Sequence, residues 1–81
     1  MTKDQFIEWA LALGWQQDRY GHLQRHIGST VITNHYRFKL SRIAVRYEVK
    51  SEGNSGWTRL SSGYYSKLSI SDDGKLQGMV R

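Results

Sequence analysis

Three histidines, His22, His26 and His35, are the side chains of this 81-residue sequence best suited to acid–base or metal chemistry. Imidazole titrates near neutral pH and binds borderline cations. His22 and His26 are four positions apart. On a helix that spacing makes a chelating pair. On a strand it leaves the two rings on one face about 13 Å apart, too far to share an ion. The sequence contains no cysteine, so a thiolate zinc site, a disulfide framework and a cysteine nucleophile are excluded. The sequence therefore nominates no metal site and no cofactor. His35 stands beside Arg37 and Lys39, which pairs a neutral-pH base with cations, a minimal set for metal-free RNA cleavage. Ser61-Ser62 has no evident histidine or carboxylate companion. Gly53-Asn54-Ser55-Gly56 is followed by neither Gly-Lys-Ser nor a helix, so it is not a phosphate loop. Asp72-Asp73-Gly74 reads as turn chemistry. No residue is nominated as catalytic.

The stronger chemical signal is charge. The chain has 12 Lys and Arg against 7 Asp and Glu, a formal net charge of +5. Residues 19–50 hold seven cations (Arg19, Arg25, Arg37, Lys39, Arg42, Arg46 and Lys50) against Glu48 alone. Aligned Lys and Arg on a sheet face, with aromatic rings beside them, suit a phosphate backbone. The same residues also make an ordinary solvated strand face.

The elements that must carry these side chains follow from periodicity. Thr2-Lys3-Asp4-Gln5 is a capping box, with Met1 and Phe6 at the positions of a hydrophobic staple. Phe6, Trp9, Ala10 and Leu13 recur at helical spacing, widened by Ile7 and Leu11, and Gly14 suits the residue after a helix. A helix over 3–13 with one broad buried face is expected. Beyond Gly14 the period becomes two. Residues 22–27 alternate, and 30–50 are rich in β-branched and aromatic residues. Tyr36, Phe38 and Leu40 are even-numbered, whereas Ile43, Val45, Tyr47 and Val49 are odd. A turn or a bulge at Ser41-Arg42 restores a common face. Ser-Arg is a poor two-residue hairpin turn, which favours a bulge in one long bent strand. With the bulge, His35, Arg37, Lys39, Arg46 and Lys50 share the opposite face, where His22, His26, Trp57 and Arg59 can join them. Trp57 to Ser62 and Tyr64 to Ser71 read as strands divided near Gly63. Asp72-Asp73-Gly74 reads as a three-residue hairpin loop that sets Ile70 opposite Leu76. Of the adjacent Tyr64 and Tyr65, Tyr64 shares parity with Leu68 and Ile70, so Tyr65 is the ring expected outside.

The fold class is α+β: a single domain over 1–81, with one N-terminal helix packed on one face of a meandering antiparallel sheet of five or six short strands. No apolar run reaches a membrane span and no signal-peptide pattern is present, so a cytoplasmic protein without a membrane partner is expected.

The opening helix, Gly14-Trp15 and Gly21-His22-Leu23-Gln24-Arg25 together resemble the first half of HicA-type toxins. That family combines a double-stranded-RNA-binding-like fold, helix, three strands and a closing helix, with a histidine that cleaves mRNA. The resemblance covers residues 1–25 and implies His22 as the catalytic residue. It lacks the serine of the family's Gly-Ser-His motif, and residues 57–81 read as strands where the family closes with a helix.

The functional reading is a non-enzymatic binding module that holds nucleic acid on Arg37, Lys39, Arg42, Arg46, Lys50 and Arg59. A protein-interaction or inhibitor domain using Trp57, Arg59 and Tyr65 is the second reading, since Trp, Tyr and Arg anchor interfaces. A metal-independent ribonuclease using His22 or His35 is the third. Both a monomer and a homodimer paired through an open strand edge fit the sequence.

Overall fold

The computed structural model describes residues 1–28, 33–51, 53 and 55–81, with side chains placed outside 26–28 and 33. Helix α1 spans Lys3–Ala12. Its N-terminus is closed by the expected reciprocal bonds: the Gln5 amide donates to Thr2 Oγ1 at 3.1 Å, and the Thr2 amide donates to Gln5 Oε1 at 2.8 Å. These satisfy two backbone donors that a helix start otherwise leaves unpaired. Phe6 and Ala10 are fully buried, and Met1, Ile7 and Trp9 pack at the margin of the core. The apolar stripe is narrower than the periodicity suggests, because Leu11 and Leu13 remain exposed.

Five strands follow as an antiparallel meander in chain order: β1 (Gln16–Gln17), β2 (Leu23–Gly28), β3 (Thr33–Leu40), β4 (Ala44–Ser51) and β5 (Thr58–Tyr64). A 3₁₀ turn, Tyr65–Lys67, leads to a separate ribbon of β6 (Ser69–Ile70) and β7 (Leu76–Gln77). The short β1, pairing Gln16 with Gln24, carries no apolar alternation and is invisible to periodicity. Where HicA-type toxins close with a helix, this chain has β5, the 3₁₀ turn and the ribbon.

One face of the sheet carries Leu23, Phe38, Leu40 and Val45, which join Phe6, Ala10, Trp15, Tyr65 and Leu68 in one core. Aromatic contacts dominate it. Phe6 meets Phe38 edge-on at 5.0 Å, and Trp15 lies 4.4 Å from Phe38. Rings of this size bury more apolar surface per residue than aliphatic side chains, which suits a small core.

At Ser41-Arg42 the chain turns rather than bulges. Leu40 pairs with Val45, and residues 41–44 reverse direction. The turn is closed by the Ser41 amide to the Ala44 carbonyl at 2.9 Å and by the Ala44 amide to Ser41 Oγ at 3.2 Å. Tyr65 clamps it from outside, through its amide to the Ile43 carbonyl at 3.1 Å and its hydroxyl to the Ser41 carbonyl at 2.9 Å. A side-chain oxygen and a remote ring thus supply what Asn-Gly supplies in an ordinary hairpin.

The register irregularity lies elsewhere. Tyr47 faces Ser61 while Glu48 faces Arg59, so Leu60 is the extra residue and β5 carries the bulge. Strand β5 also runs straight through Gly63, where the sequence suggested a break. The ribbon has the expected register, Ile70 opposite Leu76, with Gly74 at φ 83° in the turn.

Candidate functional site

The face of the sheet turned away from α1 is built by pairing. Strand β3 contributes His35, Arg37 and Lys39, and β4 contributes Lys50, Glu48 and Arg46 directly opposite them. The bulge at Leu60 then re-aims β5 so that Arg59 stands opposite Glu48, and Ser62 opposite Arg46. Five of the six cations expected to bind nucleic acid, Arg37, Lys39, Arg46, Lys50 and Arg59, therefore share one face. Arg42 does not join them. It is exposed in the turn at the end of the sheet.

At the centre of this face sits a carboxylate that sequence reasoning counted only as a charge. Glu48 is 5 % exposed. Its Oε1 accepts from Arg37 Nε at 3.0 Å and from Nη2 at 2.6 Å, and Arg46 Nη1 stands 3.9 Å from Oε2. Arg37 is in turn stacked on Trp57, with its guanidinium carbon 4.1 Å from the ring centroid, and Lys50 Nζ lies 5.4 Å from the same ring. Glu48, Arg37 and Trp57 form a fixed unit of charge pair and cation–π stack. The alternation Arg46-Glu48-Lys50 was the available signal. A lone acid between cations of the same parity is placed to be paired.

Two recesses flank this unit. One, of about 340 Å³, lies at the turn end, where Lys39, Arg46 and Arg59 surround Ala44, Ser62 and Tyr64. Arg59 Nη1 donates to Ser62 Oγ at 3.3 Å. Among the described residues Lys39 has no carboxylate partner. The other recess, of about 420 Å³, gathers His22, His35, Arg37, Lys50 and Trp57 beneath the 18–22 loop. That loop is tied by Asp18. Its Oδ1 accepts from the Tyr20 and His22 amides, both at 2.9 Å, and its Oδ2 accepts from Gln24 Nε2 at 2.8 Å. Burial pushes the Asp18 pKa up, but these hydrogen bonds outweigh it and hold the carboxyl below its ordinary value.

The structure brings His22 and His35 to one recess, but His22 has structural work. Its Nδ1 accepts the Leu40 amide at 3.0 Å, filling a main-chain partner's place beyond the start of β2. An accepting nitrogen carries no proton, so the ring's hydrogen sits on Nε2. His26 has its side chain outside the described residues, and no group of three metal-ligating side chains occurs among those described.

The expected patch of Trp57, Arg59 and Tyr65 is not assembled. Tyr65 is 4 % exposed and lies in the core on the α1 side, 6.0 Å from Phe6, whereas Tyr64 is 54 % exposed. The 3₁₀ turn beginning at Tyr65 interrupts the alternation, so parity with Leu68 and Ile70 does not carry back to Tyr64. Tyr64 instead stands opposite Ala44 on the cationic face.

No helix among the described residues is long and apolar enough to cross a membrane. Comparison with family models, curated proteins and solved structures finds no match to this chain.

Proposed function

We propose that the face of the sheet opposite α1 binds nucleic acid through its phosphates. One observation carries the reading: Lys39 and Arg46 are directly opposed across β3 and β4, on a face that holds, among the described residues, five cations and one buried carboxylate. Like charges placed directly opposite each other destabilise a sheet, and a face that needs only to be wet gains nothing from them. A polyanion laid along the face removes the repulsion. Arg37 is held by Glu48, so Lys39, Arg46, Lys50 and Arg59 are the cations left to meet phosphates.

The test is binding of labelled mixed-sequence oligonucleotides across salt, from about 50 to 200 mM. Each phosphate contact contributes a slope of about −0.7 to −0.9 in log affinity against log salt, so four contacts give roughly −3 to −4. Arg46→Glu is expected to lower both affinity and slope, while Arg42→Glu, at the turn, changes them less. Absence of binding at low salt, or a slope untouched by Arg46→Glu, defeats the proposal.

A further inference from the structure

We infer that the strand bound is single, with one unstacked base laid on Tyr64 in the recess at the turn end of the sheet. The inference rests on the nucleic-acid reading above. Tyr64 is an exposed ring on the cationic face, and the residue directly opposite it is Ala44, whose methyl group leaves the ring uncovered. Lys39, Arg46 and Arg59 stand around the same recess of about 340 Å³. A ring with cations on its rim matches the two parts of a nucleotide: a flat base that stacks and a phosphate that needs charge. Arg46 is also the least committed member of the Glu48 cluster, since its side chain is 53 % exposed and its head is 3.9 Å from the carboxylate.

A duplex does not fit this arrangement. Its bases are stacked on each other and its phosphates lie on a convex cylinder, so it bridges the rims of the recess and leaves Tyr64 untouched. A single strand can lower one base between the cations while its backbone continues along β4 towards Lys50 and Trp57. From Ala44 to Lys50 that path is about 20 Å, at ~3.3 Å per residue. Every base presents a π face, so stacking of this kind tolerates any sequence.

The experiment compares three probes of about 12 nucleotides, within the usual span of single-strand sites. These are oligo-uridine, oligo-deoxythymidine and a mixed-sequence DNA duplex, measured by fluorescence anisotropy at equal salt. At least one single strand is expected to bind more tightly than the duplex. Tyr64→Ala is expected to weaken single-strand binding by roughly 5- to 150-fold while duplex binding changes little, and Tyr64→Trp is expected to restore it. Tyr64 is exposed, so both variants are expected to fold, which far-UV circular dichroism verifies. Duplex binding equal to or tighter than both single strands overturns the inference, as does a Tyr64→Ala variant that binds like the parent. In either case the nucleic-acid reading itself stands. If none of the three probes binds at about 50 mM salt, that reading falls and takes the inference with it.

Discussion

Removing either member of the Arg37–Glu48 pair costs stability, but by different amounts. Glu48 is nearly inaccessible, whereas the Arg37 side chain keeps 18 % of its surface open. Arg37→Met strands a carboxylate away from water, with Arg46 3.9 Å away as its remaining ion partner. A loss of about 3 kcal/mol is expected, near the lower end for broken buried pairs. Glu48→Gln keeps an acceptor for Arg37 and leaves a cation that can still reach water, so about 1–2 kcal/mol is expected. Urea denaturation of the two variants checks the order. Tyr65 makes a pH prediction. Burial pushes its phenol up to about 12. Its folded pKa lies above the unfolded value near 10, so the folded state favours the protonated phenol. The resulting stability is present in full below about pH 10 and is lost as the pH rises from ~10 towards ~12. Absorbance titration at high pH is expected to show one phenol ionising with unfolding, and Tyr65→Phe to remove that coupling at a cost of ~1 kcal/mol. Beyond the alternation Arg46-Glu48-Lys50, none of this could be read from the sequence. Tyr64 and Tyr65 were distinguishable only by an alternation that the 3₁₀ turn breaks, and the burial of Glu48 depends on which residue of a neighbouring strand stands opposite it.

Among the elements, legibility followed the range of the interactions. The capping box of α1 and the register of the 70–76 hairpin are closed by residues within a few positions of one another, and the sequence states both. The 41–44 turn is clamped by Tyr65 from 24 positions away, and no local rule for Ser-Arg contains that ring. The bulge was expected at Ser41-Arg42 and occurs at Leu60, where its effect is to swing Arg59 to the cationic face. Gly78 shows how tightly the ribbon meets the 3₁₀ turn. Its φ is 102°, and a Cβ there drives into the Lys67 carbonyl oxygen. Gly14 has a similar φ of 94° but open space around it. Gly14→Ala is therefore expected to cost only backbone strain, about 1 kcal/mol, and Gly78→Ala strain plus a backbone collision, at least ~2 kcal/mol. Thermal melts of the two variants separate the contributions.

At the scale of the whole molecule, the two faces of the sheet divide stability from charge. The α1 side holds the aromatic core, and the opposite side holds cations that repel one another. That division makes a prediction no single residue makes. Lys39→Glu turns a repulsive cross-strand pair into an attractive one, so it is expected to raise stability by ~0.2–1 kcal/mol. The same change is expected to weaken oligonucleotide binding several-fold. Gain in one measurement with loss in the other marks a surface kept for binding at some expense to the fold. If Lys39→Glu stabilises the protein and leaves binding unchanged, the cationic face is only a solvated face. The charge concentration in residues 19–50 was plain in the sequence, and strand parity placed most of it on one side. The division into two recesses by a central ion pair was not, because it arises from four strands, β2 to β5, meeting in register.

The packing of Phe6 in one core with Tyr65 and Leu68 has a consequence in time. Synthesis delivers α1 before these two partners, which follow Phe6 by 59 and 62 positions. At roughly 5–20 residues per second the helix waits about 3–12 s for them. An isolated ten-residue helix is marginal in water. Phe38 on β3 offers the helix an earlier partner, but its core stays open on one side until the 3₁₀ turn is made. Closure of the core around Phe6 therefore waits on Tyr65 and Leu68.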